Sequence, residues 1–309
     1  MKNTIETFSA LGARLLGFGD DDATRAVIDS ACRVNGWFTP ADIRRAVRAI
    51  ACDMLQREKL EAWLADYPAL PVAEPRRVLV VMAGNIPLVG FFDLLCVLVS
   101  GHGCLVKPSA KDSVLMEHVV GLLREIDPSA PVRLYDGTSP VDAVIATGSD
   151  NANRYFRAHY AGIPSLLRGS RQSVAVLSGH ETPEQLAGLA DDIWAYSGLG
   201  CRSVSLIFAP EGYEPALQIP PVNDKYINNY RQQRSLLEMQ GRPFVDLGCA
   251  VAVEQCAFPA ALSRIAYAHY ATLDEVVAWL AGHDGELQCV VTGCLPHSRR
   301  AGFGSAQSP

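Results

Sequence analysis

The sequence predicts an α/β fold: two units of parallel sheet wound with helices, and a helical layer at the amino end. Three observations carry this. Short apolar runs alternate with segments of helical periodicity, the pattern of strand–helix–strand crossovers. Runs such as 78–82 are continuously apolar, which suits strands buried on both faces. The chain has 309 residues, 49% of them hydrophobic, more than most single cores use and enough to fill two.

Residues 1–70 read as helices. Ile5, Leu11, Leu15 and Leu16 make one stripe. Asp20, Asp21 and Asp22 precede a helix over 23–32, where acid complements the helix start. Thr39-Pro40 pairs a capping hydroxyl with proline at the first helical position, and Ile43, Val47, Ile50, Met54 and Leu55 continue an apolar face. A proline-bearing linker, 68–75, follows. Strands are then predicted over 77–82, 104–106, 132–135 and 141–146, with helices over 88–99, 112–126 and 151–160 between and after them. Further strands fall at 164–169 and 173–177, and a helix started by Thr182-Pro183-Glu184 runs to 196. Beyond it come a strand at 204–208, a polar helix at 224–240, strands at 250–253, 262–267 and 288–292, and a helix at 273–281. The tail, 299–309, reads as a loop. The predicted organisation is a helical segment 1–70 packed on a sheet domain 71–196, a second α/β domain 197–294, and a tail 295–309 returning to the site.

Composition excludes several classes. A net charge of −6 argues against nucleic acid as a partner. There is no apolar run of about 18 residues, so no membrane span is expected. The first ten residues carry polar and acidic residues and do not read as a secretory leader. The 9 cysteines form no Cys-x-x-Cys pair and read as reduced thiols of a cytoplasmic protein. The histidines show no ligand spacing, so no metal is expected.

Three strand ends carry polar groups where open parallel sheets bind ligands: Gly84-Asn85, Lys107-Pro108-Ser109 and Thr147-Gly148-Ser149. No Gly-x-Gly-x-x-Gly occurs, so these residues alone name no cofactor. Ser197-Gly198-Leu199-Gly200-Cys201-Arg202-Ser203 lies between a helical segment and an apolar strand, so Cys201 sits on a connection, with glycines that allow close approach. Taken singly, Cys201 fits a buried inert thiol as well as a nucleophile.

Read together, these landmarks resemble the aldehyde dehydrogenase superfamily, and within it the LuxC-type acyl-CoA reductases. The resemblance rests on Ala83-Gly84-Asn85-Ile86-Pro87-Leu88-Val89-Gly90, Lys107-Pro108-Ser109, Thr147-Gly148-Ser149 and Gly198-Leu199-Gly200-Cys201-Arg202. Lys225-Tyr226-Ile227-Asn228-Asn229-Tyr230 and Phe303-Gly304-Ser305-Ala306-Gln307-Ser308-Pro309 complete it. It covers the chain from about residue 75 to the end. Hydrolytic members place a water-activating glutamate before a Gly-Gly pair; here the matching stretch is Leu166-Leu167-Arg168-Gly169-Ser170-Arg171, with Leu167 in that place. Family members also continue past the position of Pro309 with an acidic segment.

The resemblance implies an aldehyde dehydrogenase-like fold, with a Rossmann-like cofactor domain and a catalytic cysteine domain. It implies NAD(P)H-dependent reduction of an acyl-CoA, or of an acyl-carrier-protein thioester, to an aldehyde. Cys201 attacks the thioester, and Asn85 with the Cys201 backbone N–H holds the oxyanion. Lys107, Ser109, Lys111, Thr147, Gly148 and Ser149 bind the cofactor, the last three at a helix start suited to phosphate. A thiol of pKa near 8.5 is only a few per cent ionised at pH 7. Arg202 and Arg171 are candidates for assisting it, though surface or structural roles explain them equally. Asn228 is a candidate substrate contact, and a polar helix face explains it as well. Family members often carry a glutamate after Lys-Pro-Ser that bonds the ribose hydroxyls; Ala110 and then Lys111 stand here, so NADPH is expected, with NADH as the alternative. A homo-oligomer is compatible with this reading. Two rival readings are an oxidative aldehyde dehydrogenase and a non-catalytic acyl- or nucleotide-binding protein that keeps the fold.

Overall fold

The computed structural model describes residues 2–308, so Pro309 of the tail motif lies outside the described residues. The chain forms two compact units, Met1–Gly169 and Ser170–Pro309. The sequence pattern predicts this boundary after residue 196. It falls earlier because the strand Gln172–Val176 pairs on both sides with strands of the second unit.

The first unit begins with α1 (Lys2–Leu16), α2 (Asp22–Val34), α3 (Pro40–Ala49), a π-helical turn at Ile50–Met54 and α4 (Arg57–Ala65). The expected caps form: Asp21 accepts from Thr24 N–H, and Thr39 from Asp42 N–H ahead of Pro40. Then come β1 (Arg77–Val81), α5 (Phe91–Val99), β2 (Gly103–Lys107), α6 (Ser113–Ile126), β3 (Val132–Leu134), β4 (Ala143–Thr147), α7 (Asp150–His159) and β5 (Ser165–Arg168). The sheet is parallel throughout, in the order β3-β2-β1-β4-β5. Strand alternation sends Val78, Val80, Cys104 and Val106 to one face, where they share a core with Phe91, Leu94, Leu115 and Met116. Phe8, Leu11, Ile43 and Leu55 of the amino-terminal helices join that core. Leu79, Val81, Leu105, Val144 and Ala146 face the other way, toward Phe156 and Tyr160. The strand order reverses between β1 and β4, so a crevice opens outside their carboxyl ends.

The second unit holds β6 (Gln172–Val176), α8 (Pro183–Trp194), β7 (Val204–Pro210), α9 (Asp224–Met239), β8 (Val245–Asp246), β9 (Val251–Glu254), β10 (Arg264–Tyr270), α10 (Leu273–Gly282), β11 (Leu287–Thr292) and β12 (Arg300–Ala301). Their order is β12-β11-β6-β7-β10-β9-β8, all parallel except β8, which runs antiparallel to β9. Thr182 and Gln185 close a capping box at the start of α8. The tail is not wholly loop: Arg300–Ala301 adds a short parallel strand to Val290 and Val291. Val174, Leu206, Phe208, Ala266 and Ala268 pack under Val276 and Leu280 of α10, while Val251 and Val253 meet Tyr230 and Leu237 of α9. No helix among the described residues is long and apolar enough to cross a membrane.

Candidate functional site

The residues singled out from sequence fall into two groups, one in each unit. In the first unit they cluster at the carboxyl ends of β1, β2 and β4. Helix α5 starts only at Phe91, three residues later than the apolar pattern suggested, because Leu88 has φ +55°. A non-glycine residue there is strained by roughly 1–3 kcal/mol and must be held. The Leu88 N–H donates to Asp112 Oδ2 at 2.9 Å. Asp112 is 2% exposed, its other oxygen has no hydrogen-bond partner among the described residues, and burial pushes its carboxyl up to about 8. The amide of buried Asn35 donates to the Gly84 carbonyl at 3.3 Å. A Cβ on Gly84 would lie 2.6 Å from Ser109 Cβ, so only glycine lets the Asn85 loop rest on the Lys107-Pro108-Ser109 turn.

Lys107 ends β2, its carbonyl accepting from Met82 N–H at 3.0 Å, and both Lys107 and Lys111 are exposed. The Lys111 N–H donates to Ser109 Oγ at 3.3 Å. Thr147 ends β4. Gly148 N–H donates to the Arg168 carbonyl at 3.2 Å, and Ser149 caps α7 by accepting from Ala152 N–H at 3.4 Å. These strand ends thus carry two exposed lysines, hydroxyls and a helix N-terminus, groups of a kind suited to phosphate. Leu167, which the resemblance sets opposite the hydrolytic glutamate, is half-buried against the apolar face of Val144 and Tyr160.

In the second unit Cys201 sits just before β7, at the amino end of a parallel strand rather than its carboxyl end. The turn that leads to it is unusual. Tyr196, Ser197 and Gly198 follow one another at φ +53°, +56° and +64°. Left-handed backbone costs a non-glycine residue roughly 1–2 kcal/mol. Burial of Tyr196 and Ser197 and the Leu199 N–H to Tyr196 carbonyl bond hold the turn. Ser173 Oγ of β6 donates to the Cys201 carbonyl at 3.0 Å. Cys201 is exposed as a residue, yet the protein packed around its sulfur raises the thiol pKa. Arg202 opposes this first, and Arg171 to a lesser extent. Both arginines are thus electrostatically coupled to the thiol, without overcoming its desolvation.

The tail is fastened to this turn. Asp192, in the last turn of α8 and 1% exposed, accepts from Gly304 N–H at 2.7 Å and Ala306 N–H at 2.9 Å. Burial raises its carboxyl to about 6. Arg202 Nε donates to the Ala306 carbonyl, and Gln307 Nε2 to Ser203 Oγ at 3.3 Å. Gly188 admits the crossing, since a Cβ there would lie 2.8 Å from Gly304 N. Asn228 is exposed on α9, with no hydrogen bond to the Cys201 turn among the described residues. Tyr226, two residues earlier and on the other side of the helix, is buried instead, its hydroxyl accepting from Trp194 Nε1 at 3.1 Å. Asp112 and Asp192 escaped the sequence reading. An acid in the last turn of a helix opposes the dipole, and that was the available signal for Asp192.

Comparison with known proteins bears on this arrangement. A family model described as acyl-CoA reductase (LuxC) matches residues 24–218, more than half the chain. The chain is similar to the long-chain acyl-protein thioester reductase of Vibrio harveyi, 28% identical over 174 residues, which are 50% of this chain and 36% of that protein. It is similar also to long-chain acyl-protein thioester reductase 2 of Photobacterium leiognathi, 24% identical over 175 residues, 50% of this chain and 37% of that protein. The matched part is thus little more than a third of each relative. Among solved structures, an acetylating aldehyde dehydrogenase from Geobacillus thermoglucosidasius superposes with TM-score 0.66 at 11% identity, covering 99% of this chain and 83% of that one. Apo betaine aldehyde dehydrogenase from Staphylococcus aureus, as a point variant, gives TM-score 0.65 at 13% identity, covering 96% and 76%. The fold is that of aldehyde dehydrogenases, and the chain belongs to the LuxC acyl-CoA reductase family.

Proposed function

We propose that this protein reduces an acyl thioester to an aldehyde through an acyl group carried on Cys201. One observation supports the reading above others: an exposed cysteine on a strained, firmly held turn with two arginines coupled to its sulfur. Strain of this kind persists where the surroundings over-determine it, commonly at working sites. The Cys201 thiolate attacks the thioester carbonyl, the C–S bond to the donor breaks, and the donor leaves as a thiol. The Asn85 amide and the Cys201 N–H are the proposed oxyanion donors; one such donor is worth about 3 kcal/mol. A nicotinamide cofactor, when bound, supplies hydride. Lys107, Ser109, Thr147, Gly148 and Ser149 are its proposed holders, with Lys111 available to a 2′-phosphate and no carboxylate at Ala110 to repel one. Leu167 cannot take a proton from water, which disfavours hydrolysis of the acyl group and hence the oxidative rival. The donor is acyl-CoA or an acyl-carrier protein.

The test is turnover of acyl-CoA with NADPH. Cys201→Ala abolishes aldehyde formation, while Cys32→Ala and Cys52→Ala leave it intact. Normal activity in Cys201→Ala overturns the reading. In cofactor titrations NADPH binds at least as tightly as NADH; a clear preference for NADH contradicts the role given to Lys111.

A further inference from the structure

A cavity with about 730 Å³ of empty space, counting the part open to solvent, lies in the second unit beside the Cys201 turn. Gly198 and Val204, three residues before and three after Cys201, both line it. Ile193, Tyr226 and Leu262 give it apolar walls, as expected of a small-molecule site. Arg264 also lines it. Arg264 Nε is buried with no hydrogen-bond partner, and the side chain forms no ion pair among the described residues. A desolvated guanidinium nitrogen left unpaired is costly, and such charges are ordinarily matched by an acceptor. No hydrogen bond joins Arg264 Nε to the polar groups beside it; Ser205 Oγ donates to Gln172 Oε1 at 2.9 Å and Ser263 Oγ to the Tyr226 carbonyl at 3.2 Å. The position is held: Ser263 has φ +65°, and its carbonyl accepts from Val251 N–H at 2.9 Å.

Resting on the thioester-reductase reading, we propose that this cavity receives an anionic oxygen group of the acyl donor, gripped by Arg264. Two sources carry that chemistry: a carboxylate at the far end of the acyl group, or a phosphate of the donor's thiol arm. Three thioesters separate them. Succinyl-N-acetylcysteamine carries only the carboxylate, butyryl-CoA only the phosphates, and butyryl-N-acetylcysteamine neither. Loading of Cys201 is followed by intact mass in the native chain, Arg264→Met and Arg264→Lys. Loss of a charged hydrogen bond weakens the matching substrate by roughly ten- to a hundred-fold in Arg264→Met. Arg264→Lys, which keeps the charge, loses less. A penalty confined to the succinyl thioester assigns the acyl carboxylate; one confined to butyryl-CoA assigns the phosphates. Equal loading in all variants, or an equal loss with all three thioesters, overturns the proposal. Should Arg264→Met not fold, Arg264→Lys gives the same discrimination. Calorimetry with succinate and with pyrophosphate needs no acyl chemistry. The native chain binds one of them and Arg264→Met does not; a native chain that binds neither overturns the inference, whereas binding without any acyl loading overturns only the thioester-reductase reading.

Discussion

Cys201 and Asp112 show how single residues are tuned by what surrounds them. Desolvation raises the Cys201 thiol pKa and the two arginines lower it, Arg202 more than Arg171. Removing either charge therefore raises the thiol further. The pH profile of Cys201 alkylation by iodoacetamide shifts upward in Arg202→Met, and by a smaller amount in Arg171→Met; unchanged midpoints contradict the coupling. Asp112 titrates near 4 when unfolded and at about 8 when folded. Between these values the folded chain holds the extra proton. Its contribution to stability thus falls as pH rises from about 4 to 8, by at most about 1.4 kcal/mol per pH unit, and is flat above. Asp112→Asn keeps an acceptor for Leu88 and cannot ionise. Its melting temperature rises relative to the native chain between pH 5 and 8, and parallel profiles contradict the assignment. Cys201 stands out in the sequence because its glycines and arginine are its neighbours in the chain. Asp192 does not, because the amides it holds lie 112 and 114 residues away. Arg264 does not, because its cavity is closed by α8 and α9 as well as β6 and β7, all distant from it in the chain.

At the scale of elements, the tail and α8 act as one piece. Gly188 lets the backbone of 303–304 cross the helix, and Asp192 receives two of its amides. Bonds to a buried charged group are worth about 1.5–3 kcal/mol each. Asp192→Ala therefore destabilises the second unit by about 3–6 kcal/mol, and the Gly304 and Ala306 amides lose protection from hydrogen exchange. Gly188→Ala, which forces a methyl into backbone, costs about 1–3 kcal/mol and exposes the same amides. Retained protection in both variants contradicts the fastening. The helical caps were readable, since Thr39-Pro40 and Thr182-Pro183 are local signals. Pairing was not. The run at 172–176 looks like any buried strand, and nothing local says that its partners are β7 and β11, which is why the unit boundary was misplaced. The start of α5 was misjudged likewise, since an apolar pattern does not report the positive φ at Leu88.

For the whole molecule, the alternation of strands and helices foretold two parallel-sheet units, and the LuxC family match together with the aldehyde dehydrogenase fold agrees with that. The Asn85, Lys107 and Thr147 segments lie at strand carboxyl ends of the first unit, whereas Cys201 precedes its strand in the second. The central claim is that Cys201 carries the acyl group between donor and hydride. Intact-mass spectrometry of the protein mixed with a panel of acyl-CoAs tests it most directly. The account predicts a mass gain equal to the acyl group, mapped by peptides to Cys201, stable in buffer because Leu167 activates no water, and discharged as aldehyde on adding NADPH. An acyl group found on another cysteine, or one released from Cys201 as free acid without NADPH, contradicts it.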